Sequence, residues 1–364
     1  MMRRLFILFL SFTQTLFATG FAHAGESLTI VSWGGPYATS QQQAYFTPFA
    51  KETGIAIDLR EYQGGIKEIE NQVGAAKVEW GVVDMIFADN ISACEKGLLE
   101  PIDEKVLYPA PDGTPAGEDF IAGSLTACGV SHNIASVVLA YRRDAFPGEK
   151  PSHIKDLFDL EKFPGKRALQ RNPAANLEWA LLSYGVPRED LYNLLSTERG
   201  LKLAFSRLDS IRDQIVWWDE VDEPVKLLNS GAAAIASGFN GRFFSSMVED
   251  KELINIIWDG QLYSYSTWGI PKGSAQRDQA IAFIRFATET WHMAELAAYI
   301  AYGPTRASAA KLVGTHYETG INMQPHLPNN PPNFQGAIEK DYEWYAKTGD
   351  RLTERFNYWL SQQN

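Results

Sequence analysis

From residue 28 onward, short apolar runs alternate with amphipathic stretches, and this alternation sets the fold class. Residues 28–33 read as a buried strand, Gly34-Gly35 turns the chain, and Pro36 stands at a first helical position where its missing N–H costs nothing. The helix predicted from there runs through Phe49 and ends near Gly54. A second strand over 55–62, a second helix over 66–77 and a third strand over 82–88 follow. That order predicts an α/β fold, a parallel-rich sheet flanked by helices. Further strands are predicted at 135–141 and 233–236, and a helix at 196–214 carries Leu201, Ala204, Phe205, Leu208 and Ile211 on one face. Asp278 is expected to cap another helix; Leu352, Phe356, Trp359 and Leu360 give the last one an apolar face; 111–117 and 325–332 read as loops. No flexible linker interrupts the 364 residues, although their number suits two lobes better than one. The chain is therefore expected to cross between lobes in strands, forming a hinge with a ligand cleft beside it.

Composition narrows the partners. Thirty-three basic against forty-four acidic residues leave a net charge of −11, which argues against nucleic acid or an anionic membrane surface as a partner. Ten Trp, fifteen Tyr and twenty Phe are a generous supply of rings for a small-molecule cleft. Residues 1–24 have the form of a secretory leader: Arg3 and Arg4, an apolar stretch from Leu5, then Ala22-His23-Ala24 before the expected cut. No later run approaches the roughly eighteen apolar residues of a membrane-spanning helix. In an oxidising compartment the isolated pair Cys94 and Cys128 usually forms a disulfide, with two buried free thiols as the alternative. Their surroundings hold no CxxC or HExxH, so no metal site is expected.

Candidate chemistry points to binding rather than catalysis. GxSxG, the Walker loop and GxGxxG are all missing. A secreted glycosidase with two facing carboxylates stays as the minor enzymatic alternative. In open α/β sheets ligands collect beyond the carboxyl ends of the strands. Trp33 ends the first strand, Asp89 and Asn90 end the third, and Tyr37 falls on the first helical turn. Trp33 could equally be core at a strand end. If the chain binds ferric iron, Tyr263 and Tyr265 are the candidates; they share a strand face but have no His or Glu beside them. A sugar binder would use Trp33, Trp218 and Asn240.

Several segments, in order along nearly the whole chain, resemble the solute-binding proteins of polyamine-type ABC importers. They are LTIVSWGG at 28–35, FTPFAKETG at 46–54, Asp84 followed by CEKGLL at 94–99, FPGKR at 163–167, SGFNGR at 237–242, WGIPKG at 268–273 and YGP at 302–304. The resemblance implies a periplasmic, monomeric, non-enzymatic receptor of the type II periplasmic binding protein fold. It would work without a cofactor, closing over one ligand and then docking to an inner-membrane permease. It implies that 25–136 with 267–305 form one lobe and 137–266 with 306–364 the other, and it supports the Cys94–Cys128 disulfide.

Polyamine binders of this kind hold a cation among aromatic rings, with carboxylates at the ammonium ends. Trp33, Tyr37, Phe239, Asn240 and Tyr302 match positions that would supply the box, and Asp89 and Asn90 fall where the third strand delivers cleft residues. Where those binders have a Trp and an Asp before WGIP, this chain has Ser264 and Ser266; near Arg171 and Asn172 it has no acidic residue before Glu178. Arg242 adds a guanidinium near Phe239. Fewer carboxylates and more arginine suit a ligand with its own carboxylate, such as γ-aminobutyrate, with diamines as the alternative. In that reading Arg242, Arg199 or Arg171 takes the acid, Asp89 or Asp222 the amine, and Trp33 and Trp218 flank it.

Overall fold

The computed structural model describes residues 27–248 and 251–362; the expected leader and its cleavage site lie outside them. Eleven strands form one mixed sheet among the described residues. They are β1 Ser27–Ser32, β2 Ala56–Glu61, β3 Val82–Ile86, β4 Leu125–Thr126, β5 Gly129–Arg142, β6 Arg167–Gln170, β7 Ile215–Trp218, β8 Ile235–Phe239, β9 Ile254–Gly269, β10 Gly303–Pro304 and β11 Ile338–Glu339. The main order is β2-β1-β3-β9-β5-β8-β6-β7. β1 runs parallel to β2 and β3 at one end, and β6 parallel to β7 and β8 at the other. Between these halves lie the two long antiparallel strands β5 and β9, the only described ones long enough to serve both. This is the two-lobed α/β architecture expected from the sequence, with the hinge made of crossing strands.

The first helical run shows how the sequence builds the first lobe. Gly34 and Gly35 adopt φ of 71° and 57°, a region other residues seldom enter, and a side chain on Gly34 would strike the Glu61 carboxylate. Helix Gly35–Gln41 passes into a π-helical turn, Gln42–Phe46, then into helix Thr47–Thr53, which Gly54 ends at φ 76°. The run buries Tyr45, Phe46 and Phe49 with Phe283 and Trp268 in the first lobe's core. Ala309, Val313, Met323 and Leu327 join the same cluster, as do Phe244 and Val248. The second core gathers Trp179, Leu201, Ala204, Leu208, Phe356 and Trp359, so both predicted apolar helix faces pack there.

Three local expectations change. Helix Phe87–Glu95 starts directly after β3, so Asp89 and Asn90 belong to its first turn and not to the strand end. The second helix is shorter than predicted, Lys67–Val73. Asp278 sits inside the first turn of helix Arg277–Ala287, with Gln276 at the cap position. Cys94 and Cys128 are joined in a disulfide that ties helix Phe87–Glu95 to the start of β5.

Candidate ligand site

The floor of the cleft comes from the crossing strands. Asn133 pairs with Ser266 and Ala135 with Ser264, and residues two apart share a face, so all four line one side. Ile86 lies across from Ser266 and Phe239 across from Val137, extending that surface into both lobes. Ala135, Val137, Ser264, Ser266 and Phe239 are half-buried, whereas the residues between them on β5 and β9 are buried.

The first lobe supplies a rigid wall. Trp33 is half-buried against Tyr62, with ring centroids 5.1 Å apart, and Gly64 lies so close beneath the indole that a side chain there would collide. Tyr37 donates from its hydroxyl to Asp84 Oδ2 (2.9 Å) and accepts from Asn133 Nδ2 (2.8 Å). Asp84 is fully buried and also accepts from Gln41 Nε2 (2.6 Å); His132 Nε2 lies 3.3 Å from its other oxygen. His132 in turn stacks on Trp268 at 4.2 Å. Burial, reinforced by the Asp84 charge, raises the Tyr37 pKa well above its ordinary value, so the hydroxyl remains a donor. Asp89 accepts from the Gly65 N–H (2.8 Å). Burial raises the Asp89 pKa, and the Gly65 hydrogen bond and the Lys340 cation oppose the rise.

Between this wall and the Arg242 helix, a cavity of about 750 Å³ is lined by Tyr37, Gly241, Arg242, Tyr299, Tyr302 and Tyr317, among others. Gly241 is needed here: a Cβ would come 2.7 Å from the Tyr302 ring. Tyr302 lies 5.7 Å from Tyr37, ring to ring. Burial raises its pKa against the pull of the nearby Arg242 guanidinium. Arg242 is 3.3 Å from Asp222 in a half-exposed ion pair. Aromatic faces, one guanidinium and one partly buried carboxylate suit a small polar solute, with no nucleophile–base pair among them. The described residues hold no cluster of His, Cys, Asp and Glu that could bind a metal ion.

The model of the bacterial extracellular solute-binding proteins matches residues 44–329. The chain belongs to that family. A γ-aminobutyric acid-binding protein of Pseudomonas aeruginosa is 33% identical over 352 residues, 96% of each chain. Among solved structures, an ABC transporter substrate-binding protein from Bradyrhizobium japonicum superposes with a TM-score of 0.80 at 29% identity, covering 92% of this chain and 99% of that one. A GABA receptor superposes at 0.77 and 27% identity, covering 93% and 98%.

In this solute-binding protein the candidate residues fall into three groups. Tyr37, Arg242 and Tyr302 line the cavity, Phe239 lies on the floor face opposite Val137, and Trp33 and Asp89 are half-buried on the first lobe. Arg171 lies on the loop after β6 in an exposed ion pair with Asp219 (3.1 Å), and Asp222 reaches the site only as the partner of Arg242. The others do not reach it. Asn90 is buried, accepting from Thr126 Oγ1 (2.8 Å) and donating to the Cys128 carbonyl, because its place in the helical turn points it under the disulfide. Trp218 is 1% exposed and donates to Ser237 Oγ inside the second lobe. Arg199 is exposed on helix Glu198–Asp209, whose other face packs on the core. Asn240 is a fully buried clamp, accepting from the Ser136 N–H and donating to the Ala301 carbonyl.

Sequence reasoning missed the Asp84–His132–Gln41–Asn133 network beneath Tyr37. Its one local signal is an acidic residue inside the apolar run VVDMI. Tyr299, Tyr317, Tyr342 and Lys340 were missed as well.

Proposed function

We propose that the cleft captures a small ω-amino acid of the γ-aminobutyrate class. Arg242 receives its carboxylate and Asp89 its ammonium, while Trp33, Tyr37, Phe239 and Tyr302 enclose the methylenes. The observation that carries this reading is a guanidinium in a tyrosine-lined cavity that also borders the first lobe, where Asp89 is a partly buried carboxylate. A guanidinium holds a carboxylate through two parallel hydrogen bonds, and an ammonium is favoured over ring faces by about 0.5–2 kcal/mol. The γ-aminobutyric acid-binding relative supports the same ligand class. Diamines, as in the polyamine-type importers, are the second reading. They fit less well because Ser264 and Ser266 line the floor where a Trp and a carboxylate would serve an amine.

The protein is the solute-binding component of an ABC transporter. It is exported by the leader over 1–24, works as a monomer in the periplasm, and passes its ligand to an inner-membrane permease without covalent change. Its lobes, 25–136 with 267–305 and 137–266 with 306–364, except that Ala309, Val313, Met323 and Leu327 pack into the first lobe's core, close about the β5–β9 crossing. Calorimetry with γ-aminobutyrate, putrescine and spermidine tests this reading. One equivalent of γ-aminobutyrate should bind, with the amines far weaker; binding of the amines alone would overturn it.

A further inference from the structure

At the other end of the hinge floor lies a second cluster that the proposed contacts leave unused. β11 runs parallel to β9, pairing Ile338 with Leu262 and Glu339 with Tyr263, and the Lys340 N–H donates to the Tyr263 carbonyl (3.2 Å). The Lys340 side chain turns inward. Its ammonium lies 4.8 Å from the centroid of the Tyr345 ring and 5.8 Å from that of Tyr342. Tyr345 donates to Glu178 Oε1 (2.6 Å), as does Tyr192 (3.2 Å), so the carboxylate is anchored beside the cation. Glu178 is fully buried, and its Oε2 has no hydrogen-bond partner. Tyr342 stands beside Ser264 and packs on Phe87, and a cavity of about 560 Å³ opens between Phe87, Tyr192, Lys340 and Tyr342.

The Glu178 carboxylate, held by Tyr345, acts on this ammonium. Burial lowers the Lys340 pKa, and the charges of Glu178 and Asp89 oppose that fall. Burial likewise raises the pKa of Glu178 and of Asp89, with Lys340 pulling both down. Two tyrosine faces and the carboxylate of Glu178 behind one of them make a receptor for an alkylammonium. Here the chain's own lysine occupies it.

We propose that Lys340 is a specificity-determining residue, an internal ammonium that fills a cation cage at the edge of the cleft and so denies it to the second amine of a diamine. The inference rests on the ω-amino acid reading, because it explains why a cleft resembling those of polyamine importers would take a ligand with one amine. Selectivity is achieved here by a built-in repulsive element: a second ammonium entering the cage meets a like charge in a poorly solvated place. A ligand whose other end is a carboxylate meets no such penalty.

The test is calorimetry of the full-length exported protein, wild type, Lys340→Ala and Lys340→Gln, with γ-aminobutyrate and with putrescine. Both variants should shift the putrescine-to-γ-aminobutyrate affinity ratio toward the diamine, Lys340→Ala by about tenfold or more. Adding Glu178→Gln to Lys340→Gln should cancel that variant's gain, which a merely structural role for Lys340 would not predict. Lys340→Gln keeps the first half of the aliphatic stem and a neutral polar end, so it decides the matter if Lys340→Ala does not fold. An unchanged ratio in the folded variants, with γ-aminobutyrate binding intact, overturns the role of Lys340 and leaves the ligand reading standing. Diamine binding gained by the variants, when the wild type binds neither compound, upholds the role and overturns the ligand reading. Tight putrescine binding by the wild type overturns both.

Discussion

The two walls of the cleft are built in opposite ways. On the first lobe, Tyr37 is fixed by a carboxylate that no water reaches: Asp84 is 0% exposed, and its Oδ2 accepts from Tyr37 and Gln41, with His132 beside Oδ1. On the second lobe, Arg242 is held by a single ion pair whose partner, Asp222, is 59% exposed. Buried hydrogen bonds set a geometry that persists with or without ligand, because breaking them strands donors in a dry interior. An exposed ion pair is held by little, so its guanidinium can exchange one carboxylate for another. The contrast gives each lobe a task, one side presenting a preformed surface and the other an exchangeable charge.

The strongest way to break this comparison is to remove Asp84. Asp84→Ala leaves Tyr37, Gln41 and His132 without their shared acceptor and should cost about 3–5 kcal/mol of stability. At the usual conversion for a domain of this size, the thermal midpoint followed by circular dichroism should fall by roughly 6–20 °C. A midpoint within two degrees of wild type would mean that the wall is not held from beneath. Arg242→Ala should do the reverse. Stability should change by less than about 1 kcal/mol, while affinity for a carboxylate-bearing ligand should weaken by about 2–4 kcal/mol, measured by calorimetry beside a melting curve. Equal loss of stability and affinity would erase the distinction between the walls. The smallest effect is expected from Asp222→Asn. If Asp222 competes with the ligand for Arg242, neutralising it should tighten binding by about 0.5–1 kcal/mol. Weaker binding would show that Asp222 orients the guanidinium and does not compete for it.

The alternation of strands and helices, the Gly34-Gly35 turn and the apolar helix faces were all readable because each depends on neighbours in sequence. Asp89 and Asn90 show where that reading fails. A strand and a helix meet at Ile86 and Phe87 without an intervening loop, and a two-residue shift in the boundary decides which side chain stays half-buried at the Gly65 N–H and which meets the disulfide. Trp217 and Trp218 show a second limit. β7 is covered on both faces, Trp217 by Phe356 and Trp359 and Trp218 by the opposite core, so period-two reasoning cannot tell a wall from an interior. The Asp84–His132 contact spans 48 residues, and the approach of Lys340 to Glu178 spans more still. Neither leaves a local signature, because only the assembled sheet brings the partners together.

The π-helical turn at Gln42–Phe46 has a consequence for how this lobe tolerates change. One additional residue in a helical circuit offsets everything beyond it by about 100° from what came before. Tyr37 and Gln41 can thus aim at a charge while Phe46 and Phe49 aim at grease, two bearings that one straight helix would struggle to satisfy together. Deleting a single amino acid there would force a choice between anchoring the tyrosine and seating the phenylalanines, so this wide coil acts as the gearing between recognition and solidity.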